Sequence, residues 1–449
     1  MRRIPRIRAL ATGALAATLA IALGGCSTPA PTSAPTAAPV DTTTAPPAPG
    51  TSSAPVATSS AAKVTLNALF MQQAGYSQDQ ISQMVASYEA ANPNVKVNAT
   101  FVAYEALHDK IVTSAPAGTY DVVLLDVIWP AEFATKGIVQ DVTSRYPASW
   151  KQDMLGGAYS TAEYNGKFYG VPWGPSTKFF YYNKDMVAAV GATEADLATW
   201  DGVLAVAKKI KAAGLSQYPI AWSWAQAEAV ICDYGQLLGS FGGEFTDASG
   251  KLAVNQGPGV QTMTWMKQTI DDGLTNPGST TFLEDDVQKA LAQGDTAFGL
   301  NWESTWGALQ DPGQSKVVGK MGILPTPAGP TGLRPGINGA MALSIPTKAP
   351  NPDAAWDLIT YLTSQKVQDQ YPTGWPPNWK SSYEDSAVTS QAPELFKAAA
   401  VGYASLILRP TVPNYNSASA ALQTEIQNAL LGNKTTQQAM DDAVAAAGA

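Results

Sequence analysis

Twelve tryptophans are spread along the 449 residues, and many stand beside proline, glycine or a carboxylate rather than inside apolar runs. Trp129 precedes Pro130, just beyond an apolar segment that ends at Asp126. Trp173 lies between Pro172 and Gly174, Trp222 and Trp224 flank Ser223 ahead of Gln226 and Glu228, and Trp302 precedes Glu303. Trp375 sits in Gly374-Trp375-Pro376-Pro377. A loop indole near carboxylates, amides and arginine suits a ring that carries both apolar C–H faces and hydroxyls. The indole covers the face, and the polar groups take the hydroxyls. Candidate contacts are Asp126, Trp129, Trp173, Trp222, Trp224, Gln226, Trp302, Glu303, Asn338 and Arg409. Asp126, at a strand end, would accept from a ligand hydroxyl or cap the helix that starts near Pro130. Arg409 follows Leu406-Ile407-Leu408 and needs a partner, either a ligand hydroxyl or a buried carboxylate. Trp265 and Trp356 fall at apolar periods inside regular elements and read as core.

Catalytic and metal chemistry find less support. His108, with Asp109 and Lys110 beside it on a helical stretch, is the only histidine and reads as a surface residue. With no second histidine and no reactive cysteine motif, neither a zinc site nor a Cys-His pair is expected, and no G-x-S-x-G elbow with a later histidine occurs. No metal or cofactor is expected. A glycosidase needs only two carboxylates, so a carbohydrate-active enzyme stays open on residue types alone. The run Glu284-Asp285-Asp286 falls where a helix to Gln293 would start, and carboxylates there suit the helix dipole.

The elements that must position these residues follow a basic, then apolar amino terminus. Arg2, Arg3, Arg6 and Arg8 precede an apolar stretch from Ala9 to Leu23, which fits a secretory signal. Leu23-Gly24-Gly25-Cys26 resembles a lipobox, making Cys26 the expected lipidation site. Residues 1–25 would be the signal peptide and 26–62 a Pro/Ser/Thr/Ala tether, which holds no large apolar side chain to offset its ordering entropy. A glycosylated stalk is a compatible reading of the tether. Cys232, in an apolar run, reads as a buried small hydrophobe. The net charge is −8 and no Lys/Arg cluster lies beyond the signal, which argues against nucleic acid as a partner.

From Lys63 onward strands and helices alternate: strands over 64–70, 95–101 and 122–125, helices over 79–91 and 104–113. That order predicts an α/β fold with ligands at the carboxyl ends of the strands.

Four stretches in order carry a further resemblance: Tyr120–Asp126 through Phe133-Ala134 to Val139; Asn165–Pro172 with Tyr181-Tyr182-Asn183-Lys184; Ala290–Trp306; and Leu408–Tyr415 with Leu422–Ala439. Together they resemble the family 1 extracellular solute-binding proteins, the group that includes maltose-binding and trehalose/maltose-binding proteins. The resemblance implies a two-lobed periplasmic-binding-protein-like α/β fold with three hinge crossings, near Trp173, Asp295 and Pro346, and an interlobe cleft. One lobe would take 63–172 plus 295–345, the other 173–294 plus 346–449. It further implies a monomeric, lipid-anchored binding protein on the outer face of the cell membrane, not an enzyme. Such a protein would pass a neutral sugar, an α-glucoside-type oligosaccharide being favoured, to the permease subunits of an ABC importer. Position and resemblance agree best on Trp302. Gly339-Ala340-Met341 stands where the family often has Gly-Gly-Trp, so one stacking contact is absent. A polyol or a glycerol-linked phosphate remains an alternative solute, though no basic cluster favours the phosphate.

Overall fold

The computed structural model describes residues 63–73 and 75–447. The expected signal, Cys26 and the tether lie outside the described residues. Two main sheets, of five and four strands, hold nine strands: β1 (Val64–Met71), β2 (Val95–Val102), β3 (Val122–Asp126), β4 (Val171–Gly174), β5 (Lys178–Asn183), β6 (Ile220–Ala221), β7 (Phe298–Trp302), β8 (Met321–Leu324) and β9 (Met341–Ser344). In the first sheet the order is β2-β1-β3-β9-β4. β1 pairs in parallel with β2 and β3, and β9 runs antiparallel to β3 and β4. In the second the order is β8-β5-β7-β6, with β5 antiparallel to both neighbours.

Local signals account for the first βαβ units. The helix Gln78–Ala91 starts on a capping box in which Ser77 and Gln80 exchange side-chain and backbone hydrogen bonds, and it stops ahead of Pro93. Its buried residues Ile81, Met84, Val85 and Tyr88 keep the helical period against the sheet. β3 is buried at all five positions, as the continuous apolar run required. The described residues form three apolar cores, the first around the first sheet and the second and third on opposite faces of the second sheet. β5 is buried at all six positions, sending Phe180 and Tyr182 into the second core and Phe179 and Tyr181 into the third.

The sheets divide the chain differently from the expected lobes. β7 and β8 belong to the second sheet, although 295–345 was assigned to the first lobe; only β9, at the end of that range, returns to the first sheet. Packing explains the difference. β7 pairs with β5 over five residues and buries Phe298 and Leu300 in the second core. Conversely, the helix Pro352–Leu362 buries Ala355, Leu358, Ile359 and Leu362 in the first core, whereas 346–449 was expected in the second lobe. The chain passes between sheets at Pro175–Thr177, where the expected crossing near Trp173 falls. It passes again between β8 and β9, and a third time between Pro352–Leu362 and the helix Pro393–Gly402, which packs in the third core beside the second sheet. No helix among the described residues is long and apolar enough to cross a membrane.

Candidate functional site

The carboxyl ends of β1, β3 and β7 meet at a solvent-open cleft whose empty space, open solvent included, is about 830 Å³, with Met71, Asp126 and Trp302 all on its wall. This is where an α/β sheet leaves space for a ligand.

Arg409 joins the two halves of the cleft. Its Nη2 donates to Asp126 Oδ1 at 3.0 Å and its Nη1 to Glu228 Oε1 at 2.8 Å. Nε and Nη2 also reach the Asn338 carbonyl, at 3.3 and 3.2 Å. Asp126 ends β3 of the first sheet, and Glu228 opens the helix Glu228–Ser240 packed against the second. These contacts engage one N–H on Nε, two on Nη2 and one on Nη1. A guanidinium has five, so one donor on Nη1 remains. The carboxylates are held in turn: Tyr104 donates to Asp126 Oδ2 at 2.8 Å, and Tyr415 and Ser419 donate to the two oxygens of Glu228. Asp126 Oδ2 keeps accepting capacity for a further hydroxyl.

Trp302 supplies the aromatic wall. Its indole is half-buried, its Nε1 donates to Glu284 Oε1 at 3.3 Å, and the Lys178 ammonium lies 5.1 Å from the ring centroid. Trp375 lies opposite the crossing at Gly174, where an added Cβ would stand 2.3 Å from the indole. Only glycine lets that ring approach the backbone. Gly339 does the same for Trp302, with an added Cβ 2.4 Å from the ring.

Of the ten candidates, the structure brings Asp126, Trp302 and Arg409 to the cleft wall. Asn338 meets them through its carbonyl, while its side chain accepts from Ala340 N. The remaining tryptophans are core. Trp173, Trp222 and Trp224 have no exposed surface. Trp222 and Trp224 stack at 5.1 Å with their planes 6° apart, and Trp173 packs between Phe70, Tyr76 and Trp375. Trp129 is buried and stacks at 5.9 Å on Tyr104, so it supports a cleft residue from behind. Proximity to proline or glycine misled here because a loop indole gains more from burial than from solvent wherever the neighbouring layer offers a slot. Gln226 is exposed and donates to Thr424. Glu303 is fully buried behind Trp302; one oxygen accepts from Thr177 N at 3.3 Å, and burial pushes its carboxyl up to about 8.

Sequence reasoning missed Tyr104, Glu228, Glu284 and Gln288, which also line the cleft. A signal existed for Tyr104, which begins the helix just beyond the carboxyl end of β2. The run 284–286 does open a helix, Glu284–Gln293, and Asp286 accepts from Leu283 N as the dipole reading expects. Glu284 turns from the same first turn into the cleft. His108 is half-buried, its Nε2 3.0 Å from Glu132 and 2.9 Å from Asn416. Cys232 is buried at the cleft floor, and burial raises its thiol to about 12. No group of three or more His, Cys, Asp or Glu is gathered to hold a metal among the described residues.

A two-lobed α/β frame with its polar and aromatic side chains facing an interlobe cleft defines the solute-binding-protein class. The family model for bacterial extracellular solute-binding proteins matches residues 73–369, and the chain belongs to that family. It is similar to the structure of maltose-bound T. maritima MalE3, with 29% identity, a TM-score of 0.80, and coverage of 86% of this chain and 99% of that one. The tagatose-bound ABC transporter solute-binding protein of Thermotoga lettingae shares the fold at 23% identity and a TM-score of 0.78, covering 86% and 99%. Among sequence relatives, a Deinococcus radiodurans protein described as an ABC transporter-binding protein is 28% identical, covering 70% of this chain and 76% of its own.

Proposed function

We propose that this protein captures a neutral saccharide or polyol in the interlobe cleft and delivers it to an ABC importer, anchored to the outer membrane face by a lipid on Cys26. The observation that carries the reading is the pairing of a half-exposed indole, Trp302, with the hydroxyl-binding set Asp126, Arg409 and Tyr104 on one cleft wall. The sugar-bound state of MalE3 and the polyol-bound states of more distant structures support the ligand class. Charge supports it too. Glu105, Asp126, Glu228, Glu284 and Asp285 line the cleft, five carboxylates against the Arg409 guanidinium on its wall and the Lys178 ammonium behind Glu284, and a phosphate would meet net repulsion there. The second reading, a glycosidase, loses Asp126 and Glu228 as an acid–base pair, because the Arg409 guanidinium is ion-paired to both.

Titration calorimetry against maltose, trehalose, tagatose, mannitol and inorganic phosphate tests this. Micromolar or tighter binding of one neutral ligand, weakened at least a hundredfold in Trp302→Ala and in Arg409→Ala, is expected. Binding of phosphate alone, or release of monosaccharide from a disaccharide, would overturn it.

A further inference from the structure

Lys178 is a charged residue that the sugar contacts leave unexplained. It is the first residue of β5 and lies directly across from Trp302, the last residue of β7, in the antiparallel register. Its side chain has no exposed surface. The ammonium donates to Asp233 Oδ1 at 2.7 Å and Ser223 Oγ at 2.8 Å, and pairs with Glu284 Oε1 at 3.1 Å. Burial works against the charge, but Asp233 and Glu284 outweigh it and hold the amine protonated. Asp233 is itself tied to Ser223 through its second oxygen, and Gln236 donates to the Lys178 carbonyl at 2.8 Å.

The same Glu284 oxygen that pairs with Lys178 accepts the Trp302 indole N–H. The ring is therefore held at three points: its plane against the ammonium, its N–H edge on Glu284, and its benzene edge against Gly339. An indole swings on two side-chain torsions, and a stacking surface binds a flat ligand well only if it is already oriented. We infer that Lys178 is a positioning residue for ligand capture: with Glu284 it locks the Trp302 indole in the stacking orientation before any ligand arrives.

This inference rests on Trp302 being the stacking platform, so its first test needs no ligand. The protein is labelled with 5-fluorotryptophan, and the Trp302 resonance is assigned in the fluorine NMR spectrum by its loss in Trp302→Phe. Because removing one partner of a buried ion pair can unfold a protein, the variant is Lys178→Met with Asp233→Asn, which removes both charges of the fully buried pair. The expected result is a Trp302 resonance that shifts and broadens while that of Trp173, in the core of the first sheet, stays in place. Glu284→Gln, which keeps an acceptor for the indole N–H, should leave the resonance sharp, whereas Glu284→Leu should broaden it. An unchanged Trp302 resonance in the double variant overturns the inference whether or not any sugar binds. In a second arm maltose is the probe, and its affinity should fall at least tenfold in the double variant. A moved resonance with unchanged maltose affinity would overturn the link to capture, and failure of the unaltered protein to bind maltose would count against the sugar reading alone.

Discussion

Arg409 shows how one side chain does two jobs. Four of its N–H groups are spent on Asp126, Glu228 and the Asn338 carbonyl, so it is first a structural clamp, and only its last donor is left for the ligand contact proposed above. The sequence demanded a partner for this arginine after an apolar run; the structure supplies carboxylates from both halves. Glu303 carries the residue-scale prediction. Its folded value near 8 lies above the 4.5 of an unfolded glutamate. Between those values the unfolded chain has released a proton that the folded chain keeps, so stability is full below about pH 4.5 and falls as pH rises. The slope is at most about 1.4 kcal/mol per unit and levels off above pH 8. Thermal melts of the protein from pH 5 to 8 should show the midpoint falling, and Glu303→Gln should flatten that fall. An equal slope in both proteins would remove Glu303 as its source.

At the scale of elements, the first five were legible with their ends within a residue or two, because capping boxes, prolines and apolar periods act over a few residues. What strand ends do in the site was less legible. Gly339 sits just ahead of β9, and its missing Cβ makes room for the Trp302 ring. Gly339→Ala should displace that ring and weaken neutral-sugar binding about tenfold or more while the protein stays folded. Gly156→Ala, where an added Cβ meets nothing within 4 Å, should leave binding unchanged. Calorimetry on the two variants separates a local effect on Trp302 from a general cost of alanine. Equal affinities in both would show that Trp302 tolerates the intrusion.

For the whole molecule, the cleft is shared by two sheets, so a ligand that touches both stabilises their approach only through contacts that the separated halves lack. Ligand at a hundred times its dissociation constant should therefore raise stability by about 2.7 kcal/mol, visible as an upward shift of the melting midpoint. X-ray scattering should show a smaller radius of gyration with ligand than without. Arg409→Ala leaves Asp126 and Glu228 facing each other without their shared cation, and should raise the ligand-free radius. An unchanged radius in the variant would mean that the clamp does not hold the halves together.

By itself the amino-acid sequence determined the α/β class, the order of the first elements, the family, and three residues of the cleft wall, because these follow from short-range pattern and from motifs that recur in order. Tertiary structure alone decided the rest. Trp173, Trp222 and Trp224 are core because a neighbouring layer offers each a slot, and no residue beside them in the chain records that layer. β7 joined the second sheet because its partner, β5, lies more than a hundred residues earlier. Arg409 reaches Asp126 across 283 residues of chain, and Lys178 meets Trp302 on the neighbouring strand of its sheet. Ion pairs, stacks and burial form between surfaces that only folding brings together, so their members can be suspected from sequence but are paired only in three dimensions.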